Sequence, residues 1–143
     1  MLKVEGYTQS DEARVVEFIR KAQPTAEPDK QILSRSVLIK DDKDIVGMVS
    51  YESHGDLGVI RYFLYDARIA GTDIVVGMFL ELYKKAHERS VKKLIAGVPS
   101  RDVGMLFEML GFTRVIGDLS DFADTVRKDA AIMLINLEGK SFE

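Results

Sequence analysis

The stretch VIRYFLYDARIAGTDIVVGMFLELYKKAHERSVKKLIAGV, residues 59–98, decides the fold. It opens with apolar and aromatic residues over 59–66, a strand composition. After a loop at 67–73 the period changes from two to 3.6. Val75, Met78, Phe79, Leu82, Tyr83 and Ala86 fall on one helical face, while Glu81, Lys84, Lys85 and Glu88 fall on the other. KKLIAGV (92–98) is a short apolar run ended by Pro99, which predicts a buried strand. Strand, helix and strand make a βαβ crossover, so 59–66 and 92–98 are predicted to run parallel.

Working toward the N-terminus, a tight turn at SHGDLG (53–58) precedes this unit. Before it, SVLIK (36–40) and IVGMVSY (45–51) read as two strands joined by the polar turn DDKD. Three sequential strands with short turns predict an antiparallel meander. LKVEGY (2–7) reads as a further strand. Thr8 and Asp11 offer a capping box to a helix whose stripe is Val15, Val16, Ile19 and Ala22, ending near Gln23. Pro24 and Pro28 break it, leaving 24–31 as a polar loop or a short second helix. Toward the C-terminus, Ser100 or Asp102 caps a helix carrying Val103, Leu106, Phe107 and Leu110, and Gly111 suits a left-handed C-cap. FTRVI (112–116) and AAIMLINL (130–137) read as the last strands. Between them lies an acidic insert, Gly117 to Asp129, with Asp118, Asp121 and Asp124 and with Leu119, Phe122, Ala123 and Val126 at helical spacing. Its plain reading is a solvated loop with one helical turn. Its functional reading is a wall favouring a cationic acceptor.

The result is an α/β chain of α+β character: one domain over 1–143, a mixed sheet of about six to seven strands and about four helices. Composition agrees. Of 143 residues 46% are hydrophobic and 30% charged, which is globular rather than disordered. A net charge of -3 without clustering gives no footprint for nucleic acid or membrane. With no cysteine there is no disulfide framework, thiolate nucleophile or Cys zinc site. The N-terminus lacks the apolar run of a signal peptide, so the cytoplasm is the expected compartment. No HxxxH, paired-carboxylate or Ser–His–Asp pattern appears, and no metal is expected.

The loop DARIAGTDIV (66–75) is the place for chemistry. A helix N-terminus presents unpaired N–H groups and partial positive charge, which suits phosphate. Gly71 allows close backbone approach, and Arg68 brings a two-pronged cation. An ordinary βα turn with a surface arginine would show the same residues, so the loop alone is a weak signal.

Arg68-x-x-Gly71-x-Asp73, followed by a long helix, a strand and SRDVGMLFEMLGF (100–112), resembles the acyl-CoA-binding core of the GNAT acetyltransferase superfamily. That family's loop reads Q/R-x-x-G-x-G/A, and its later helix roughly N-x-x-A-x-x-L-Y-x-x-L-G-F. The resemblance runs from about residue 36 to 137 and is strongest at Leu110-Gly111-Phe112. It implies acetyl-CoA as co-substrate. The backbone of Phe63, Leu64 and Tyr65 would pair with the pantetheine arm. The N–H groups from Ile69, Ala70, Gly71, Thr72 and Asp73 onward would face the pyrophosphate, with Arg68 and Ser100 beside it.

The departures from that pattern are specific. Asp73 stands where the family closes its loop with Gly or Ala. A carboxylate about 5 Å from a pyrophosphate charge costs on the order of 3 kcal/mol at an effective dielectric near 20. As an N-cap, Asp73 would instead bond the helix N–H groups itself. Phe107 stands where the family often has a tyrosine that protonates the departing thiolate, a role phenylalanine cannot take. Its bland role is core packing. Ser100 replaces the usual Asn, and Ser90 stands where glycine commonly precedes the next strand.

For a general base, Glu52 is the candidate, expected on the strand face shared by Val46, Met48 and Ser50. The competing role is a solvated glutamate opening a turn. His54 reads as a turn residue and His87 as surface. Tyr62 and Tyr65 could line a pocket, though aromatic residues in a central strand read first as core. The function expected from the resemblance is acyl-CoA-dependent N-acyl transfer, in a ternary complex, to an unknown small-molecule or peptide amine. The alternative is a GNAT-shaped binding or regulatory module with weak or no CoA binding. A homodimer pairing its final strands is a third expectation.

Overall fold

A computed structural model describes residues 1–115 and 131–139. The expected acidic insert, Gly117 to Asp129, lies outside the described residues, as do the ends of the two strands flanking it. The elements are β1 (Leu2–Gly6), α1 (Glu12–Ala22), α2 (Lys30–Leu33), β2 (Ser36–Asp41), β3 (Asp44–His54), β4 (Leu57–Tyr65), α3 (Asp73–Glu88), β5 (Lys93–Val98), α4 (Arg101–Met109), β6 (Thr113–Arg114) and β7 (Ala131–Asn136). The strands form one mixed sheet in the order β1-β2-β3-β4-β5-β7-β6.

The meander is antiparallel, as its short turns require. Its hairpins are tighter than the sequence suggested, because β3 continues through Glu52 and Ser53 to His54 and leaves only Gly55 and Asp56 to turn. Gly55 takes a φ of 65° there, a left-handed conformation open to glycine at little cost. The short helix falls at Lys30–Leu33, later than Pro24 and Pro28 indicated, because Asp29 caps it by accepting from the Gln31 N–H at 2.9 Å.

Helices cover both faces. On one, α3 and α4 pack Met78, Phe79, Leu82 and Phe107 against Val37, Ile39, Val49 and Leu94. On the other, Val15 and Ile19 of α1 and Leu33 of α2 meet Leu38, Ile45 and Met48. Burying one such side chain is worth about 2 kcal/mol, which is what amphipathic patterning supplies here. The 2–3 register shift near Ile39 moves Val46 to the α3 face. Val46 therefore does not share a face with Met48, as strict alternation had predicted.

Two polar devices lock the edges. Asp11 is 2% exposed, accepts from the Thr8 N–H at 2.9 Å, and holds Lys40 at 2.8 Å. Burial works against its charge, yet the bonds from Lys40 and Thr8 outweigh it and hold its carboxyl below the usual carboxylate range. At the end of α3, the Val91 N–H bonds to Ala86 O and the Ser90 N–H to His87 O, both at 3.0 Å, with Ser90 at a φ of 65°. This is a Schellman closure with serine in the left-handed position that glycine usually fills. Among the described residues no helix is long and apolar enough to cross a membrane.

Two outcomes follow for stability. Ser90→Gly relieves a left-handed side chain and should stabilise the protein by about 1 kcal/mol, read as a higher denaturant midpoint with an unchanged slope. Asp11→Asn should destabilise it by about 2 kcal/mol at pH 7. Because the folded Asp11 value is depressed, that stability is present above the unfolded value near 3.9 and lost as pH falls through the folded one. The gap between the two proteins, measured by urea unfolding, should therefore close below about pH 4.

Candidate functional site

β4 and β5 run parallel as the crossover requires, but they pair only at Leu57–Lys93, Gly58–Leu94 and Val59–Ile95. Beyond Val59 they part. Gly58 makes the junction possible, since a Cβ there would lie 2.5 Å from Leu94 Cδ2 and 3.0 Å from Tyr51 Cδ2. Immediately after it, β4 carries an irregularity: Val49 opposes Phe63 and Tyr51 opposes Ile60, so β4 holds one residue more than β3. Bulges bend a strand and raise its twist. Here the bend takes β4 away from β5.

The opening is a cavity of about 320 Å³, walled by Ile60, Phe63 and Tyr65 on one side and by Ala96, Pro99 and Leu106 on the other. Phe107 forms its floor among stacked rings, 5.8 Å from Phe63, 5.7 Å from Phe79 and 4.9 Å from Phe112 between centroids. Its expected packing role is what the structure shows; it is 3% exposed. Phe63, Leu64 and Tyr65 pair with β3 on one edge and, among the described residues, have no strand partner on the β5 side. Their backbone on that side faces the split, as a β-augmenting ligand would need. Tyr65 is 49% exposed rather than core, because β4 has left the cover of β5 at this point.

The loop beyond β4 is pinned by one side chain. Ile69 is buried against Gly47, where a Cβ would come within 3.1 Å of it. Ala70, Gly71, Thr72 and Asp73 are exposed. Thr72, not Asp73, occupies the N-cap position, and Asp73 is the first helical residue. It therefore does not cap the helix by accepting its N–H groups. An added Cβ at Gly71 would meet nothing, so open space lies over the helix start. Arg68 reaches back to three carboxylates, Asp44 at 3.1 Å, Asp41 at 3.6 Å and Asp66 at 3.8 Å. Ser100 caps α4, its Oγ accepting from the Val103 N–H at 3.3 Å.

At the apex of the split, the sequence had singled out Glu52 but missed its partner. Arg61, inside the bulge, donates to Glu52 Oε2 at 2.7 Å, and His54 Nε2 lies 3.4 Å from the same oxygen. Burial works upward on the Glu52 carboxyl, but the bonds from Arg61 and then His54 outweigh it and hold it below the usual range. Arg61 is also the one charged residue among the described residues lining the split. Only the register brings these three together, since 52, 54 and 61 sit on opposite strands of a hairpin. A larger cavity, about 500 Å³, lies by α1 and reaches Tyr65, Asp66 and Arg68. It opens at the loop end, with Tyr65 about 13 Å along β4 from Arg61 at strand rise, and so away from the apex. No group of three or more potential metal ligands occurs among the described residues.

Solved structures with this architecture are numerous. One is an acetyltransferase described as of the GNAT family from Staphylococcus aureus, 15% identical, with a TM-score of 0.69 over 96% of this chain and 100% of that one. The chain has the GNAT fold. The ribosomal-protein-S18-alanine N-acetyltransferase from Escherichia coli is 15% identical, with a TM-score of 0.71 over 99% and 97% of the two chains. N-acetylglutamate synthase from Neisseria gonorrhoeae, solved with coenzyme A and N-acetyl-glutamate, is 14% identical with a TM-score of 0.74. It matches 96% of this chain, which spans only 35% of that longer one. No protein-family model matches the sequence. Curated proteins yield no match either. At these identities the likeness concerns the fold, and the GNAT fold found here agrees with the sheet and helices the sequence predicted.

The Glu52–Arg61 pair yields a direct check. In Arg61→Met, the Glu52 carboxyl should titrate at higher pH than in the parent, toward the ordinary carboxylate range, as followed by carbon-detected NMR. An unmoved titration would show that Arg61 does not set the charge of Glu52.

Proposed function

We propose that this protein is an acyl-CoA-dependent N-acyltransferase that transfers an acyl group directly to an amine in a ternary complex. The observation that carries it is the parting of β4 and β5 into an apolar cavity, with a free strand edge along it, followed in the chain beyond Tyr65 by the loop that leads into α3. An acyl-pantetheine arm needs apolar walls and backbone partners, and its pyrophosphate needs unpaired N–H groups. Phe63, Leu64 and Tyr65 supply the edge in this reading, and the backbone from Ile69 to Asp73 supplies the anion cradle. Acetyl is the acyl group proposed.

In the reaction, the lone pair of a neutral amine attacks the thioester carbonyl, the C–N bond forms and the C–S bond breaks. Phe107 has no proton to give. None is required, because a thiolate whose conjugate acid has a pKa near 8.5 leaves readily and takes its proton from water. Glu52 is the proposed acceptor of the ammonium proton, through water. Its depressed carboxyl makes it a weak base while Arg61 holds it. An acceptor that draws Arg61 away raises its basicity, so acceptor binding and base activation are coupled in this scheme.

A second reading, a GNAT-shaped module with little CoA affinity, is favoured by one specific observation. The guanidinium of Arg68 is already engaged by three carboxylates, and Asp73 adds a fourth negative charge at the cradle. Since Asp73 is exposed, its repulsion of a bound anion acts in a water-like dielectric, about 1 kcal/mol per charge pair rather than three. That weakens binding several-fold without abolishing it.

A thermal melt separates the two. Acetyl-CoA at a hundred times its Kd adds about 2.7 kcal/mol, a rise of about 8 °C for a domain of this size. Asp73→Asn should tighten acetyl-CoA binding about fivefold by calorimetry. A parent protein that shows no melting shift in millimolar acetyl-CoA, with Asp73→Asn gaining one, would decide for the binding module.

A further inference from the structure

We infer that a second site, at the opposite end of α3 from the cradle, binds a monatomic anion of the halide class. It sits where the connection after β1, the connection from α2 into β2, and the last turn of α3 converge. The cavity is about 30 Å³, room for one or two atoms of water size. A tetrahedral oxyanion does not fit within that volume, whereas a chloride does.

Two observations, independent of each other, point to an anion. The first is a buried donor without a partner. Among the described residues three buried side-chain oxygens lack any hydrogen-bond partner: Ser36 Oγ, Ser50 Oγ and Tyr51 Oη. Tyr51, 1% exposed, lines this cavity on the α3 face of the sheet, whereas the side chains of Ser36 and its cross-strand neighbour Ser50 alternate to the α1 face. A buried hydroxyl without a partner is costly, and such groups in folded proteins almost always have one. The second is charge. Arg35, Lys85 and Arg89 line the cavity, and no described Asp or Glu does.

These cations are not explained by helix capping. The Schellman closure satisfies the last carbonyls of α3 with the backbone N–H groups of Arg89, Ser90 and Val91. Lys85 and Arg89 have no side-chain ion pair among the described residues. Lys85 passes directly over Gly6, where a Cβ would lie 2.8 Å from its Nζ, and so reaches Tyr7 at the cavity wall. Arg35 gives one N–H to Gln31 O at 2.8 Å and keeps the rest of its fork. The wall supplies ammonium, guanidinium and hydroxyl donors, and a halide accepts from all of them at once. The bound ion ties β1, β2 and α3 together.

The test is thermal unfolding of the full chain in 150 mM sodium chloride, sodium bromide or sodium gluconate at matched pH, gluconate being too large to enter. Chloride and bromide should raise Tm by about 3 °C over gluconate. Tyr51→Phe, which keeps the ring in the core, should lower that difference, and Lys85→Gln with Arg89→Gln should remove it. A crystal grown in bromide should show an anomalous peak between Tyr51, Lys85 and Arg89. Equal melting in all three salts, an undiminished halide effect in the double variant, or a bromide crystal without that peak would each overturn the site.

Discussion

Two parallel strands that share only three residue pairs before they part set the conditions for everything else in this molecule. A parallel ladder continued to Val98 would have closed the sheet and left no cavity. Instead the extra residue near Arg61 bends β4 outward, and Phe63, Phe79, Phe107 and Phe112 fill the space beneath with rings set nearly edge to face, 4.9 to 5.8 Å apart. Each ring buries a large apolar area and gains from the edge-to-face geometry, so the split is floored by core rather than by water. The parting exposes Tyr65 and frees one edge of Phe63 to Tyr65. Cavity and strand edge are two consequences of one bend.

Charge placement is the second theme. The molecule satisfies most of its site charges internally: Arg61 on Glu52, Arg68 on three aspartates, Lys40 on Asp11 and Glu5. Pairs this exposed contribute little stability, apart from the Asp11–Lys40 contact, which is buried. Their importance is that any charged ligand must displace or join an existing partner. At the apex this makes Glu52 a poor base until Arg61 is drawn off. At the far end of α3 the opposite holds, because Lys85 and Arg89 face a cavity without a carboxylate.

Several features were readable in residue order. The helix at 73–88 announced itself through six apolar side chains at 3.6 spacing, and all six are buried. The capping box at Thr8 and Asp11, the meander, the crossover and the left-handed Gly111 follow from local chemistry and stand in the structure. The candidate site was less legible. Arg68 read as a free cation because Asp41 and Asp44 are distant in sequence and reach it only through the β2–β3 turn. Asp73 read either as a charge facing the anion or as a cap, since Asp favours that position, yet the chain enters the helix one residue earlier, at Thr72. Arg61 carried no signal, since one arginine in an aromatic strand announces neither a bulge nor a partner.

By itself, then, the sequence determined which segments are helix and strand, which faces are apolar, and that a glycine-bearing loop leads into a long helix. These are properties of neighbours within one turn or one hairpin, where propensity, periodicity and capping act directly. The tertiary structure alone decided that β4 leaves β5 after Val59, that Glu52 meets Arg61, and that Tyr51, Lys85 and Arg89 converge on one small cavity. Each depends on a single-residue register shift or on the packing of segments remote in the chain. Such choices are set by whole-core packing, which no short window of sequence contains.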